Sequence, residues 1–195
     1  MENTDITRKS LILRAADPED HDAFEEFISY YERFITIIIY KTGVFDDDAE
    51  DFRQELTLKL WKSLNKFSFD EKYTSFRSWL KTVIKNGIFE YNKKRSRERN
   101  KENLVLEEDN SSDLDLLIDS EWKKYVIDIA LTHVKKMFTG CAIEVFLMSM
   151  EQIPAKEIAQ KLNIRESTVY NLRLKVKAKF QSELKNIRQL LEFHQ

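Results

Sequence analysis

The chain has 195 residues, of which 42% are hydrophobic and 34% charged, with only 3 Gly and 2 Pro; that is material for one domain or two small ones. Its single cysteine, Cys141, excludes an intramolecular disulfide, fits a reducing compartment and is expected as a core thiol. The net charge of −2 conceals blocks of −7 over 1–70, +7 over 71–101, −8 over 102–121, +1 over 122–151 and +6 over 152–188, so two cationic stretches able to meet a polyanion flank an acidic one.

Scarce Gly and Pro together with long 3.6-residue periodicity predict an all-α protein. Helical segments are expected near 20–42, 47–67, 74–97, 121–136, 140–151, 154–162 and 166–190. The longest apolar run, 34–40, is far shorter than the roughly 20 residues that cross a bilayer. No signal peptide is visible, and a cytoplasmic protein without membrane insertion is expected.

At the start of the second segment, Asp46, Asp47 and Asp48 suit the positive end of a helix and can cap its free N–H groups. Phe52, Leu56, Leu60, Leu64 and Phe67 then form one stripe at about 100° per residue. Asp51, Gln54, Glu55, Leu58 and Lys62 fall on the opposite face. Leu58 stands inside an acidic edge, either as a stray leucine on a solvated face or as the centre of a docking surface.

The third segment repeats the pattern with the opposite charge. Phe76, Leu80, Val83, Ile84, Gly87, Ile88 and Tyr91 make the inward stripe, flanked by Trp79. The other face carries Lys81, Lys85, Asn86, Phe89, Asn92 and Lys93, and runs into Lys94-Arg95-Ser96-Arg97. Cations neutralise phosphates, amides bond base edges and a ring stacks on an exposed base, so this face suits nucleic acid. The alternative is a solubilising lysine-rich helix with Phe89 under a loop.

From Glu102 to Asp119 there is no Lys or Arg, and the stretch reads as a flexible acidic linker. Its Leu114, Leu116, Leu117 and Ile118 either dock elsewhere or begin the next helix. Glu107, Glu108, Asp109 and Asp113 are expected to lie over one of the basic blocks and hold the free protein off DNA. Further on, Pro154 suits a first helical position, Asn163 a left-handed turn, and Val169, Leu172, Val176 and Phe180 the buried stripe of a recognition helix. The outer face of that helix offers Ser167, Thr168, Tyr170, Asn171, Arg173, Lys175 and Lys177 to duplex DNA, although some helix-turn-helix units serve protein contacts alone.

Ala49-Glu50-Asp51-Phe52-Arg53-Gln54-Glu55, Leu60-Trp61 and Leu64 resemble the second region of bacterial sigma factors. Ser75-Phe76-Arg77-Ser78-Trp79-Leu80, Lys85-Asn86 and the basic run to Arg97 continue the resemblance without a gap. Leu13-Arg14-Ala15 and Phe24-Glu25-Glu26-Phe27 are similar to the start of small sigma factors, and Ser167-Thr168-Val169-Tyr170 with Arg173, Lys175 and Val176 to their fourth region. Three positions depart from the pattern. Phe138-Thr139-Gly140 replaces Leu-Pro, Asn163 replaces the turn Gly, and Arg165 replaces a capping Ser, which shifts the expected helix start to Ser167.

The resemblance implies a two-domain sigma factor of the extracytoplasmic-function type: region 2 over 1–98, an acidic linker over 99–121 and region 4 over 122–195. It implies that Asp51, Gln54, Glu55 and Leu58 dock on the clamp helices of the largest subunit of core RNA polymerase. Arg77, Lys85, Asn86, Phe89, Lys93 and Arg95, with the loop 69–75, would bind and open the minus-ten element of promoter DNA. The recognition helix would read the minus-thirty-five duplex. An anti-sigma factor is a further candidate partner, and one copy is expected in the holoenzyme. No catalytic triad, phosphate loop, metal cluster or cofactor motif stands in the sequence, so an enzyme is not expected. The competing reading is a stand-alone helix-turn-helix regulator that never joins polymerase, which leaves the first motif set unexplained.

Overall fold

The computed structural model describes residues 11–66, 75–98 and 110–192, and the regular elements among them are all helices, as expected. A helical turn, α1, covers 11–15. It is followed by α2 (His21–Ser29), α3 (Glu32–Lys41), α4 (Asp46–Leu64), α5 (Phe76–Glu98), α6 (Asn110–Met137), α7 (Ala142–Met150), α8 (Ala155–Lys161) and α9 (Glu166–Glu192). The chain forms two compact units, 1–124 with 189–195 and 125–188.

In the first unit, Asp20 caps α2 by accepting the Ala23 N–H at 3.0 Å. The single helix expected over 20–42 is two. Helix α2 ends at Ser29, Tyr31 takes φ −119°, and α3 begins at Glu32. The Tyr31 ring packs into the core between Phe27 at 5.1 Å and Phe76 at 5.7 Å. Helix α4 starts at Asp46 behind an extended Phe45, which makes no side-chain cap, so the aspartate triplet lies within the helix's first turn and not before it. It still complements the helix dipole there.

Phe52, Leu56, Leu60 and Leu64 of α4 are buried, as the periodicity requires; Phe67 lies outside the described residues. Helix α5 opens on a reciprocal pair: Ser75 Oγ accepts the Ser78 N–H at 3.2 Å and Ser78 Oγ accepts the Ser75 N–H at 3.4 Å. Phe76, Trp79, Leu80, Val83, Ile84 and Ile88 are buried, and Tyr91 stacks on Phe52 at 4.2 Å. At Gly87 a Cβ would stand 2.6 Å from Leu56 Cδ1, so α5 lays bare backbone on that side chain of α4.

The linker expectation fails over 110–121. Helix α6 begins at Asn110 and not near 121, while 99–109 lie outside the described residues. The reason is an apolar stripe one turn apart: Leu114, Ile118 and Trp122 are 9%, 2% and 2% exposed. Trp122 meets Phe34 edge-on at 5.0 Å and stacks on Tyr31 at 6.4 Å. Burying side chains of this kind stabilises by roughly 1.5–3 kcal/mol each, enough to order a segment that its acidic composition marked as loose. Of the leucine cluster, Leu114 and Ile118 dock, whereas Leu116 is 65% exposed.

In the second unit, Val145, Ile158, Ala159 and Val169 form a core against which Met148, Ile153, Leu162, Ile164 and Leu172 pack. Phe146 and Phe180 close it, with ring centroids 5.4 Å apart. Pro154 is the N-cap of α8 with ψ 142° and not its first helical residue. Asn163 takes the left-handed conformation expected of it, φ +49°, and the Ile164 N–H closes the helix end on the Ala159 carbonyl at 3.0 Å. Helix α9 starts at Glu166, not Ser167, because the Arg165 carbonyl accepts from Thr168 and Val169 at 2.9 and 3.1 Å, a backbone task that any residue can perform. Cys141 is partly exposed at the N-cap of α7 and is not a core thiol, since it sits in the turn after Gly140 while Ala142 takes the buried place.

Candidate polymerase and nucleic-acid interfaces

The outward edge of α4 carries Asp51, Gln54 and Glu55, all exposed, and Leu58, which is 46% exposed. Two of these polar groups are tethered. Gln54 Nε2 donates to Glu50 at 3.0 Å, and Lys94 Nζ donates to Glu55 at 2.7 Å. Hydrogen bonds from Arg53, first, and from Gln54 hold the Glu50 carboxyl down to about 2. Arg53 also reaches Glu32 at 2.6 Å, so α3 and α4 are stitched together behind the edge. An open groove of about 290 Å³ runs beside Leu58, lined also by Lys62, Gly87 and Glu90.

The cationic face of α5 is answered by carboxylates. Arg77 Nη2 donates to Asp119 at 2.7 Å, with its guanidinium 5.6 Å from the centre of the Trp122 ring. Lys81 Nζ lies 2.8 Å from Asp119 and 3.3 Å from Asp115, and Lys85 Nζ 2.7 Å from Asp115. Residues 77, 81 and 85 of α5 thus meet 119 and 115 of α6 in reverse order, as two antiparallel rows one helical turn apart. Burial pushes the Asp115 carboxyl up, but hydrogen bonds and charge from Lys85 and Lys81 outweigh it and leave the group below its ordinary value.

The expected minus-ten residues therefore divide. Arg77 and Lys85 belong to the ladder, and Arg95 pairs with Asp48 at 2.8 Å. Asn86 and Lys93 are exposed, and Phe89 is half-buried. Of the loop 69–75 only Ser75 is among the described residues. Sequence reasoning missed Asp115, Asp119 and Trp122. Their signal was present in the four-residue spacing of Leu114, Ile118 and Trp122 and the same spacing of the two aspartates.

On α9, Ser167, Tyr170, Asn171, Arg173, Lys175 and Lys177 are exposed and Thr168 is half-buried. With Val169 and Val176 inward, a rotation of about 100° per residue turns Ser167 and Asn171 outward and puts Tyr170 and Arg173 on one flank and Lys175 on the other. Leu174, absent from the expected set, is 66% exposed on that outward face.

No described helix is long and apolar enough to cross a membrane. No curated protein matches the chain. A family model does: the one described as Sigma-70 region 2 matches residues 27–98, from within α2 to the end of α5, and so takes in both the acidic edge of α4 and the cationic face of α5. Such a region implies core RNA polymerase and promoter DNA as partners. Over residues 27–98, then, the chain is similar to region 2 of the sigma-70 family of sigma factors.

Proposed function

We propose that the chain directs RNA polymerase to specific promoters and helps open the DNA there, as a two-domain sigma factor of the extracytoplasmic-function type acting as a single copy in the cytoplasm. The observation that carries this reading is the pairing, within the matched region, of two dissimilar faces on helices in direct contact. On α4, an exposed Leu58 stands among Asp51, Gln54 and Glu55. A leucine on an acidic edge is explained by a partner helix that is apolar at its centre and cationic at its rim, as the polymerase clamp helices would be. On α5, Asn86, Phe89 and Lys93 offer an amide, a ring and a cation, the groups that capture unstacked bases without ATP.

The α8–turn–α9 unit acts as a helix-turn-helix that docks on the minus-thirty-five duplex. Ser167 and Asn171 face the groove, Arg173 reaches a base edge from one flank, and Lys175 meets phosphate on the other. An anti-sigma protein is a candidate partner for the same polymerase-binding edge.

The test is transcription from sheared genomic DNA by core polymerase with and without the chain. New start sites that depend on the chain are expected, and they should vanish in a Gln54→Arg, Leu58→Arg variant that keeps its helicity. If that variant still co-purifies with core enzyme, the α4 edge is not the interface. If the wild-type chain creates no start sites yet binds a palindromic duplex as a dimer, it is a regulator that works outside the polymerase.

A further inference from the structure

The ladder between α5 and α6 covers cations that, on the reading above, meet DNA. The apolar stripe of Leu114, Ile118 and Trp122 already docks α6 on the first unit, so the ladder is not needed to hold the helix there. Asp115 and Asp119 run along the edge of that stripe and engage Arg77, Lys81 and Lys85, two of which belong to the expected minus-ten set. The five side chains keep between 22% and 38% of their surface in solvent. Pairs that exposed are screened by salt and readily exchanged. A nucleic-acid backbone offers the same cations a denser row of anions and the entropy of released counterions.

We infer that the acidic face of α6 is an intramolecular stand-in for promoter phosphates: in the free chain Asp115 and Asp119 hold Arg77, Lys81 and Lys85, and they must leave before those cations reach DNA. The inference rests on the reading of α5 as a DNA face. It differs from the sequence expectation in its residues and its form. The carboxylates are those of an ordered helix with one register, not of a loose segment lying over either basic block.

The test uses the full chain without polymerase and a labelled single-stranded oligonucleotide of mixed sequence. Asp115→Asn with Asp119→Asn should tighten binding by about tenfold at low salt. Three released cations at about 0.7 each should steepen the slope of log K against log salt by roughly 2. A control that removes two carboxylates from α2, Glu25→Gln with Glu26→Gln, should change affinity by less than about twofold, as general charge does. Equal gains from the control and the ladder variant overturn the inference, and so does an unchanged affinity in a ladder variant of native helicity. If the double variant loses helicity, Asp115→Asn and Asp119→Asn are measured singly; each should give part of the steeper slope, and no change in either overturns the inference. Lys93→Gln, outside the ladder, tests the premise in the holoenzyme. If promoter binding is unaffected by it, α5 is not a DNA face and the inference falls with that reading. If binding drops while the aspartate variants change nothing, only the inference falls.

Discussion

Helices α5 and α9 come from stretches of nearly equal charge, +7 over 71–101 and +6 over 152–188, yet they present that charge differently. On α5, Arg77, Lys81, Lys85, Lys94 and Arg95 each meet a carboxylate of α4 or α6. On α9, Arg173, Lys175 and Lys177 are exposed, and none of them has an ion pair among the described residues. A block of cations in a sequence therefore states capacity, not availability. Whether the charge is free to meet a polyanion depends on which acidic helix the fold lays beside it.

The largest expected effect breaks the comparison from the α5 side. Trp122→Ala removes the ring that packs against Phe34 and Tyr31, and it should destabilise the first unit by about 3–5 kcal/mol. Urea denaturation reads it. A midpoint close to wild type would mean that α6 is held by its charges and not by packing. On the α9 side, Arg173→Ala should weaken duplex binding by about 1–3 kcal/mol and relax preference at one or two positions, as the loss of a base contact does. Titration of sequence-substituted duplexes would show it, and a uniform loss across sequences would make Arg173 a backbone contact.

Phe89→Ala should spare closed-complex binding and reduce strand opening by about 1–3 kcal/mol for each base it stacks. Permanganate reactivity reports the opening. A defect confined to intact duplex would put α5 and α9 in the same role. Lys175→Ala is smaller still: it should weaken all sequences alike and lower the salt slope by about 0.9. An unchanged slope removes Lys175 from the DNA face.

The smallest effect is in pH. Asp115 is held below its ordinary value, so the stability it contributes is fully present above the ordinary carboxylate range and is lost as pH falls through the depressed value. Stability of the first unit should therefore decline in acid by less in Asp115→Asn than in wild type, measured as urea midpoints down to about pH 3. Identical acid profiles would mean that the ladder does not contribute to folding.

Much of the first unit was legible because its stripes are strong. Phe52, Leu56, Leu60 and Leu64, then Phe76, Leu80 and Ile84, recur at helical spacing, and all are buried. The two-sided character of α4 and α5 follows from the same spacing. The ends and breaks were less legible. Nothing in Tyr30-Tyr31 announces a break, since the place of the Tyr31 ring is set by Phe27 and Phe76, the latter from another helix. Residues 110–121 were misread because eight carboxylates over 102–121 outweigh, by composition, three apolar residues that act together only once they are buried on one neighbour. The exposure of site residues was legible for α9, where the outward face stays outward. It was not legible for Arg77, Lys85 and Arg95, whose partners come from other helices.

Gly87 links the two proposed faces of the first unit in a way that neither face reveals. It lies against Leu56, so it sets how deeply α5 seats on α4 and thereby the spacing between an edge meant for a protein and a face meant for DNA. A methyl group at this position would meet Leu56 Cδ1 at 2.6 Å, so that side chain must turn aside or the helices must part, and a parting leaves each face intact but out of gauge with the other. A chain so altered could still bind polymerase, and could still bind DNA, while being unable to bring the two into alignment. The missing side chain acts as a machinist's shim of zero thickness, and its value lies in a tolerance, not in a contact.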